Sequence, residues 1–140
     1  MIVKTSTLMS GPLSLTNMRH DLKNTTFIIP ICIESEDRMR NVITTLCYLL
    51  ENFDTKVILK EVDTESVFQK QCLPQISEYV EDGIENLTHI FEKSDPVDNM
   101  FYRMRYLNEM LNMCETEVVA NYDCDVLLPI NTYLEAQKFI

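Results

Sequence analysis

Two carboxylates one residue apart, Asp123 and Asp125, follow the apolar run Val118-Val119-Ala120 and its polar edge Asn121-Tyr122. Carboxylates this close raise each other's cost of ionisation, and a divalent cation relieves that repulsion. Oxygen ligands alone suit Mg²⁺ or Mn²⁺ better than zinc. The run ahead of them is long enough for a buried strand and too short for a buried helix. In an open α/β sheet, ligands collect beyond the carboxyl ends of the strands, where these aspartates would sit. Asp125, with Asp123 beside it, is therefore the candidate metal ligand. His20 and His89 are too few and too scattered for a zinc site, and His89, in a strand-like run, reads as a structural histidine.

The elements that must position this pair follow from the hydrophobic pattern. Thr26–Ile33 is a nearly continuous apolar run, as in a strand buried on both faces, and Pro30 marks where it begins to leave the sheet. Ser35 is placed to cap a helix whose first turn carries Glu36 and Asp37. Met39, Val42, Ile43, Leu46, Leu49, Leu50 and Phe53 recur at helical spacing along it. Residues 56–63 form a second strand ending in Glu61 and Asp63, which share a face if the chain stays extended. A short helix broken near Pro74 is expected over 65–82, and a third strand over 87–92. Asp98 is expected to cap a long helix with Met100, Met104, Leu107, Leu111 and Cys114 as its buried stripe, flanked by Phe101 and Met110. After the fourth strand, 117–122, Asn131 is expected to cap a last helix. This alternation predicts an α/β fold, a mainly parallel Rossmann-like sheet with flanking helices and right-handed crossovers. Residues 1–24 read as an arm, with Met1–Leu8 at best an edge strand, and 25–140 as the domain.

Composition narrows the partners. The chain has 140 residues, 46% of them hydrophobic, and only 2 glycines and 5 prolines, so it holds a real core and no low-complexity linker. Lys and Arg number 12 against 22 Asp and Glu, a net charge of −10, which argues against nucleic acid or an anionic membrane as partner. No stretch is long enough to span a membrane, and the N-terminus lacks an apolar signal core. The 5 cysteines contain no Cys-x-x-Cys pair and read as reduced thiols of a cytoplasmic protein.

Taken together, these residues resemble the N-terminal half of GT-A fold glycosyltransferases of the family-2 type, over roughly residues 25–135. Four pieces carry the resemblance in order. They are Phe27-Ile28-Ile29-Pro30 with Glu34 after it, the helix from about Arg38 to Leu50 leading to Glu61-Val62-Asp63, the Arg103…Leu107-Asn108 helix, and Asp123-Cys124-Asp125 followed by Pro129. The resemblance implies binding of a nucleoside diphosphate sugar, usually a UDP sugar. Backbone around Pro30–Ile33 would line the base, and Glu34 with Asp63 or Glu61 would hold base and ribose. Asp123 would reach ribose or sugar, and Asp125 would hold Mn²⁺ or Mg²⁺ bridging the diphosphate. Arg103 or Arg105 would add positive charge there. Many members carry Arg two residues after the proline or Asn before the acid, where this chain has Cys32 and Ile33.

Two other readings compete. One is a non-catalytic GT-A-like binding or assembly module. The other is a haloacid-dehalogenase-type phosphohydrolase, in which the first Asp of Asp-x-Asp is a nucleophile on the first strand, whereas here the motif follows the last. In the glycosyltransferases that the chain resembles, the part after the Asp-x-Asp supplies the acceptor site and catalytic base; with fifteen residues after Asp125 the expectation here is a truncated, donor-binding half in which no catalytic base is named. The segment Tyr133–Ile140 keeps an apolar face to its end, which favours self-association. The expectation is a solution mass above that of a monomer by light scattering, with donor binding but no rapid acceptor-dependent transfer. A clean monomer that turns over rapidly with a simple acceptor would overturn it.

Overall fold

The computed structural model describes residues 18–98 and 100–139, so the expected edge strand at Met1–Leu8 lies outside the described residues. The elements are β1 (His20–Ile31), α1 (Glu36–Asn52), β2 (Phe53–Asp63), a π-helical turn (Phe68–Cys72) running into α2 (Leu73–Tyr79), β3 (Leu87–Lys93), α3 (Arg103–Leu111), β4 (Val118–Asn121) and α4 (Ile130–Lys138). The four strands form one sheet in the order β3-β2-β1-β4, and every pairing is parallel. The chain steps outward from β1 to β3, then crosses back to add β4 on the other side of β1. Strand order therefore reverses between β1 and β4, the point at which such sheets open a crevice.

Side-chain alternation along the strands builds a core on each face. Phe27, Ile29 and Ile31 of β1 and Val57 and Leu59 of β2 pack with Val42, Leu46 and Leu49 of α1 and Ile76 of α2. Ile28, Ile58 and Val62 face the other way, against Tyr106, Leu107 and Met110 of α3. Each such burial is worth about 1.5–3 kcal/mol. Ser35 caps α1, its hydroxyl accepting from Arg38 N at 3.1 Å. Pro30 stays in register with Lys60 and β1 runs on to Ile31. Ile28 O accepts from Tyr122 N on the β4 side, so by alternation the nitrogen of Pro30 also turns that way, beyond the end of β4, where no donor is required.

The structure departs from the pattern in several places. β1 opens at His20, inside the stretch read as an arm. A register shift between Asp21 and Thr26 buries the isolated Leu22, which no periodic signal marks. Phe53, taken as the end of the α1 stripe, is instead the first residue of β2, although it is fully buried as expected. α3 starts only at Arg103, after an uncapped Tyr102, so Met100 precedes it. Met100 and Met104 are 65% and 69% exposed, and the buried face is Tyr106, Leu107 and Met110. Asp98 accepts from Met100 N and Tyr102 Oη ahead of the helix, and Pro129 stands at the cap of α4 where Asn131 was expected. Pro74 breaks nothing: Leu73 N donates to Phe68 O in a wide π turn, which gives room to a proline that lacks the next donor.

Beneath that helical segment lies the fully buried Glu61. Its carboxylate accepts from Ser66 Oγ at 2.6 Å, Val67 N at 2.9 Å, Phe68 N at 3.1 Å and His89 Nε2 at 3.0 Å. Burial alone would raise its pKa, but the hydrogen bonds from His89, Ser66 and Phe68 outweigh this and hold it below the ordinary 4.5. A depressed carboxylate stabilises the fold fully above its unfolded pKa and loses that contribution as pH falls through the folded value. Glu61→Gln should thus cost about 1.5–3 kcal/mol at pH 7. It should also flatten the loss of stability on acidification below about pH 5. Urea unfolding of both proteins at neutral and acid pH measures this, and equal midpoints at pH 7 would refute it.

Candidate functional site

At the carboxyl ends of β1 and β2 a cleft of about 560 Å³ gathers Pro30, Cys32, Glu34, Arg38, Asp63 and Arg103. Asp63 Oδ1 accepts from Thr64 N at 2.7 Å, and Cys32 Sγ points its proton at Asp63 Oδ2 across 3.7 Å. Burial, and then the negative charge of Asp63, push the Cys32 thiol up to about 11, so it stays a neutral donor. Glu34 is exposed at the cleft mouth, 3.8 Å from an Arg38 nitrogen. Glu61 shares the face of Asp63 on β2 but does not open onto the cleft. Its oxygens are taken up beneath the π turn, so of the two acids offered by the sequence at the end of β2 it is Asp63 that lines the cleft.

The Asp-Cys-Asp segment lies where β4 ends, beside β1. Tyr122 N donates to Ile28 O at 3.1 Å and keeps the chain against β1 for one residue past the strand. Tyr122 and Cys124 are then buried while Asp123 and Asp125 face solvent. A chain of donors fixes this alternation. Thr45 Oγ1 of α1 donates to Cys124 O at 2.5 Å, and Tyr48 Oη to Leu128 O at 2.7 Å. Tyr122 Oη donates to Val126 O, Tyr133 Oη of α4 to Tyr122 Oη, and Leu128 N to Tyr133 Oη at 3.0 Å. Each hydroxyl has one proton, and that order uses each once. Burial first, then Tyr133, pushes the Tyr122 phenol far above its ordinary range, so it stays a donor.

Arg103, the first residue of α3, closes the space between cleft and loop. Its Nη2 donates to Asn121 Oδ1 at 3.1 Å and to Asp123 Oδ1 at 3.0 Å. Both ion-pair partners are about half exposed, so the pair positions more than it stabilises. Arg105, two residues on and thus about 200° round the helix, turns away. It binds Glu92 at 2.8 Å and Glu109 at 3.1 Å and lies over the Tyr106 ring. There it borders a neighbouring depression of about 660 Å³, so of the two arginines offered by the sequence the helix brings Arg103 to the cleft and carries Arg105 away from it. Sequence reasoning missed Arg38 and Asn121 as neighbours of the site. The spacing of Glu34 and Arg38 was the one available hint.

Among the described residues, no group of three or more His, Cys, Asp or Glu side chains comes together to hold a metal. Asp123 and Asp125 offer two solvent-facing carboxylates, one already sharing an oxygen with Arg103. Mg²⁺ commonly takes one or two carboxylates and completes its shell with phosphate and water oxygens, and this pair fits that donor set.

No protein-family model matches the sequence, and no curated protein does. Among solved structures, the fold is similar to mannosyltransferase PcManGT from Pyrobaculum calidifontis, solved in complex with GDP-Man and Mn²⁺, with a TM-score of 0.48 and 15% identity. The similarity covers 95% of this chain and 40% of that one, so this chain spans well under half of its length.

The position of Arg103 yields a test. Arg103→Ala should weaken binding of UDP more than binding of uridine, because a guanidinium at the cleft edge acts on negative charge. Calorimetric titration of both ligands measures this, and equal losses would make Arg103 a tether for Asp123 only.

Proposed function

We propose that this chain binds a nucleoside diphosphate sugar, a UDP sugar in the first instance, as the donor-binding part of a glycosyltransferase. The observation that carries the reading is the convergence of Pro30, Glu34, Asp63 and Arg103 on one cleft, with Arg103 joined to Asp123 at the switch point of a parallel sheet. In this reading Asp63 and Glu34 accept from the base and ribose, whose N–H and O–H groups need acceptors. Arg103 faces the diphosphate, Asp123 reaches the ribose or sugar, and Asp125 is the principal metal ligand. A divalent cation supplies neutralisation of the diphosphate as the sugar–phosphate bond breaks. The residues themselves bind and orient: the rigid Tyr122–Tyr133 anchorage fixes the aspartates before the donor arrives, and preorganised charge is worth more than charge that must move.

A second reading, a non-catalytic GT-A-like binding or assembly module that responds to neither UDP nor metal, is favoured by Asp123 being already paired with Arg103. The two part on metal dependence. Asp125→Ala should abolish the Mn²⁺-dependent part of UDP affinity and leave the melting temperature without ligand unchanged, since Asp125 is exposed. Titration of UDP with and without Mn²⁺ measures it, and an unaltered Mn²⁺ effect in that variant would sink the metal assignment.

A further inference from the structure

The cations of this acidic chain are mostly committed elsewhere. Lys60 is held by Glu92 and Glu109, Arg105 by the same two acids, and Arg40 by Asp37 at 2.7 Å on an exposed face. Two cations line the cleft, Arg103 and Arg38. Arg103 already donates to Asn121 and Asp123. Arg38 has a looser arrangement. Its ion pair with Glu34 is 3.8 Å long, longer than a hydrogen bond, and the two side chains are 45% and 70% exposed. Its backbone, by contrast, is fixed by the Ser35 cap.

Arg38 also lies near the Asp-Cys-Asp loop. It sits two turns before Thr45 on one face of α1, the face that runs along the Asp-Cys-Asp loop, because Thr45 Oγ1 holds Cys124 O. Its guanidinium neighbours the Cys124 thiol, within the hydrogen-bonding and electrostatic reach of that group. Cys124 lies between the two solvent-facing aspartates. Arg38 from the start of α1 and Arg103 from the start of α3 thus line the same cleft. Two carboxylates, those of Glu34 and Asp63, line the same cleft, and an anionic ligand entering it needs donors as well as a cation.

We propose that Arg38 is a phosphate-binding residue, its planar fork gripping the sugar-bearing phosphate of the donor over the Asp-Cys-Asp loop while Arg103 grips from the α3 side. This deepens, and rests on, the nucleoside diphosphate reading above. The bidentate fork, not charge alone, is what the position supplies, since a guanidinium pairs two N–H groups with two phosphate oxygens.

The experiment titrates wild type, Arg38→Gln and Arg38→Lys with UDP and with uridine, in Mn²⁺, and repeats the pair with GDP and guanosine. In Arg38→Gln the diphosphate affinity should fall about tenfold or more while nucleoside affinity is unchanged, the loss of a charge-assisted contact. Arg38→Lys should recover only part of it. Diphosphate affinity equal to wild type in either variant overturns the role of Arg38 and leaves the donor reading standing. Equal losses for nucleoside and diphosphate also overturn it, making Arg38 a support for the start of α1. A wild-type chain that binds neither UDP nor GDP overturns the donor reading and this proposal together. Should Arg38→Gln fail to fold, Arg38→Lys carries the same comparison.

Discussion

The structure depends on β1 being buried on both faces and paired on both edges. Phe27, Ile29 and Ile31 look one way and Ile28 the other, and the strand is hydrogen-bonded to β2 and to β4. A strand so enclosed has no polar edge or face left for water, which forces a parallel neighbour on each side and a helix layer above and below. The pairing with β4 is short, Thr25 to Ile28, and ends just where the aspartates begin. The cleft exists because β4 stops while β1 continues to Ile31, leaving the carboxyl end of β1 open on that side.

Two polar devices let an apolar sheet hold a charged site. On the α1 and α2 side, Glu61 is buried yet supplied with four donors, which ties β2 and β3 to the π turn. On the α3 side, Lys60 is 7% exposed and lies between Glu92 and Glu109, with Arg105 closing the set. Burial would depress the Lys60 ammonium, but the hydrogen bonds it donates to Glu109 and Glu92 outweigh this and hold the pKa above its ordinary value. Burying an ion costs several kcal/mol unless it is paired and hydrogen-bonded, and both groups meet that condition. The network also fixes α3 against β2 and β3, and so fixes where Arg103 starts.

Much of this was legible in the residues. The apolar run of β1, the Ser35 cap, the stripe of α1 and the acidic end of β2 all have local causes, whether a period, a side chain able to cap, or a run too short for a helix. The α3 stripe was not legible. Met100, Met104 and Leu111 fit a helical period as well as Tyr106, Leu107 and Met110 do, and only the shape of the sheet decides which face it covers. Leu22 escaped for the opposite reason, since a single apolar residue in a polar stretch has no period to be read.

By itself, then, the sequence determined the α/β class, the strand and helix order from Thr26 onward, and the carboxylates at strand ends, because each follows from interactions within a few residues. Tertiary structure decided which of them meet. Glu61 and Asp63 share a face, but the π turn covers the first and leaves the second in the cleft. Arg103 and Arg105 are near neighbours in sequence, but the helix sends one to Asp123 and the other to Glu92. Arg38 reaches the Asp-Cys-Asp loop only because Thr45 holds that loop against α1, a contact spanning 79 residues of chain. Contacts so distant in sequence leave no local pattern, and only the packed sheet brings them into range.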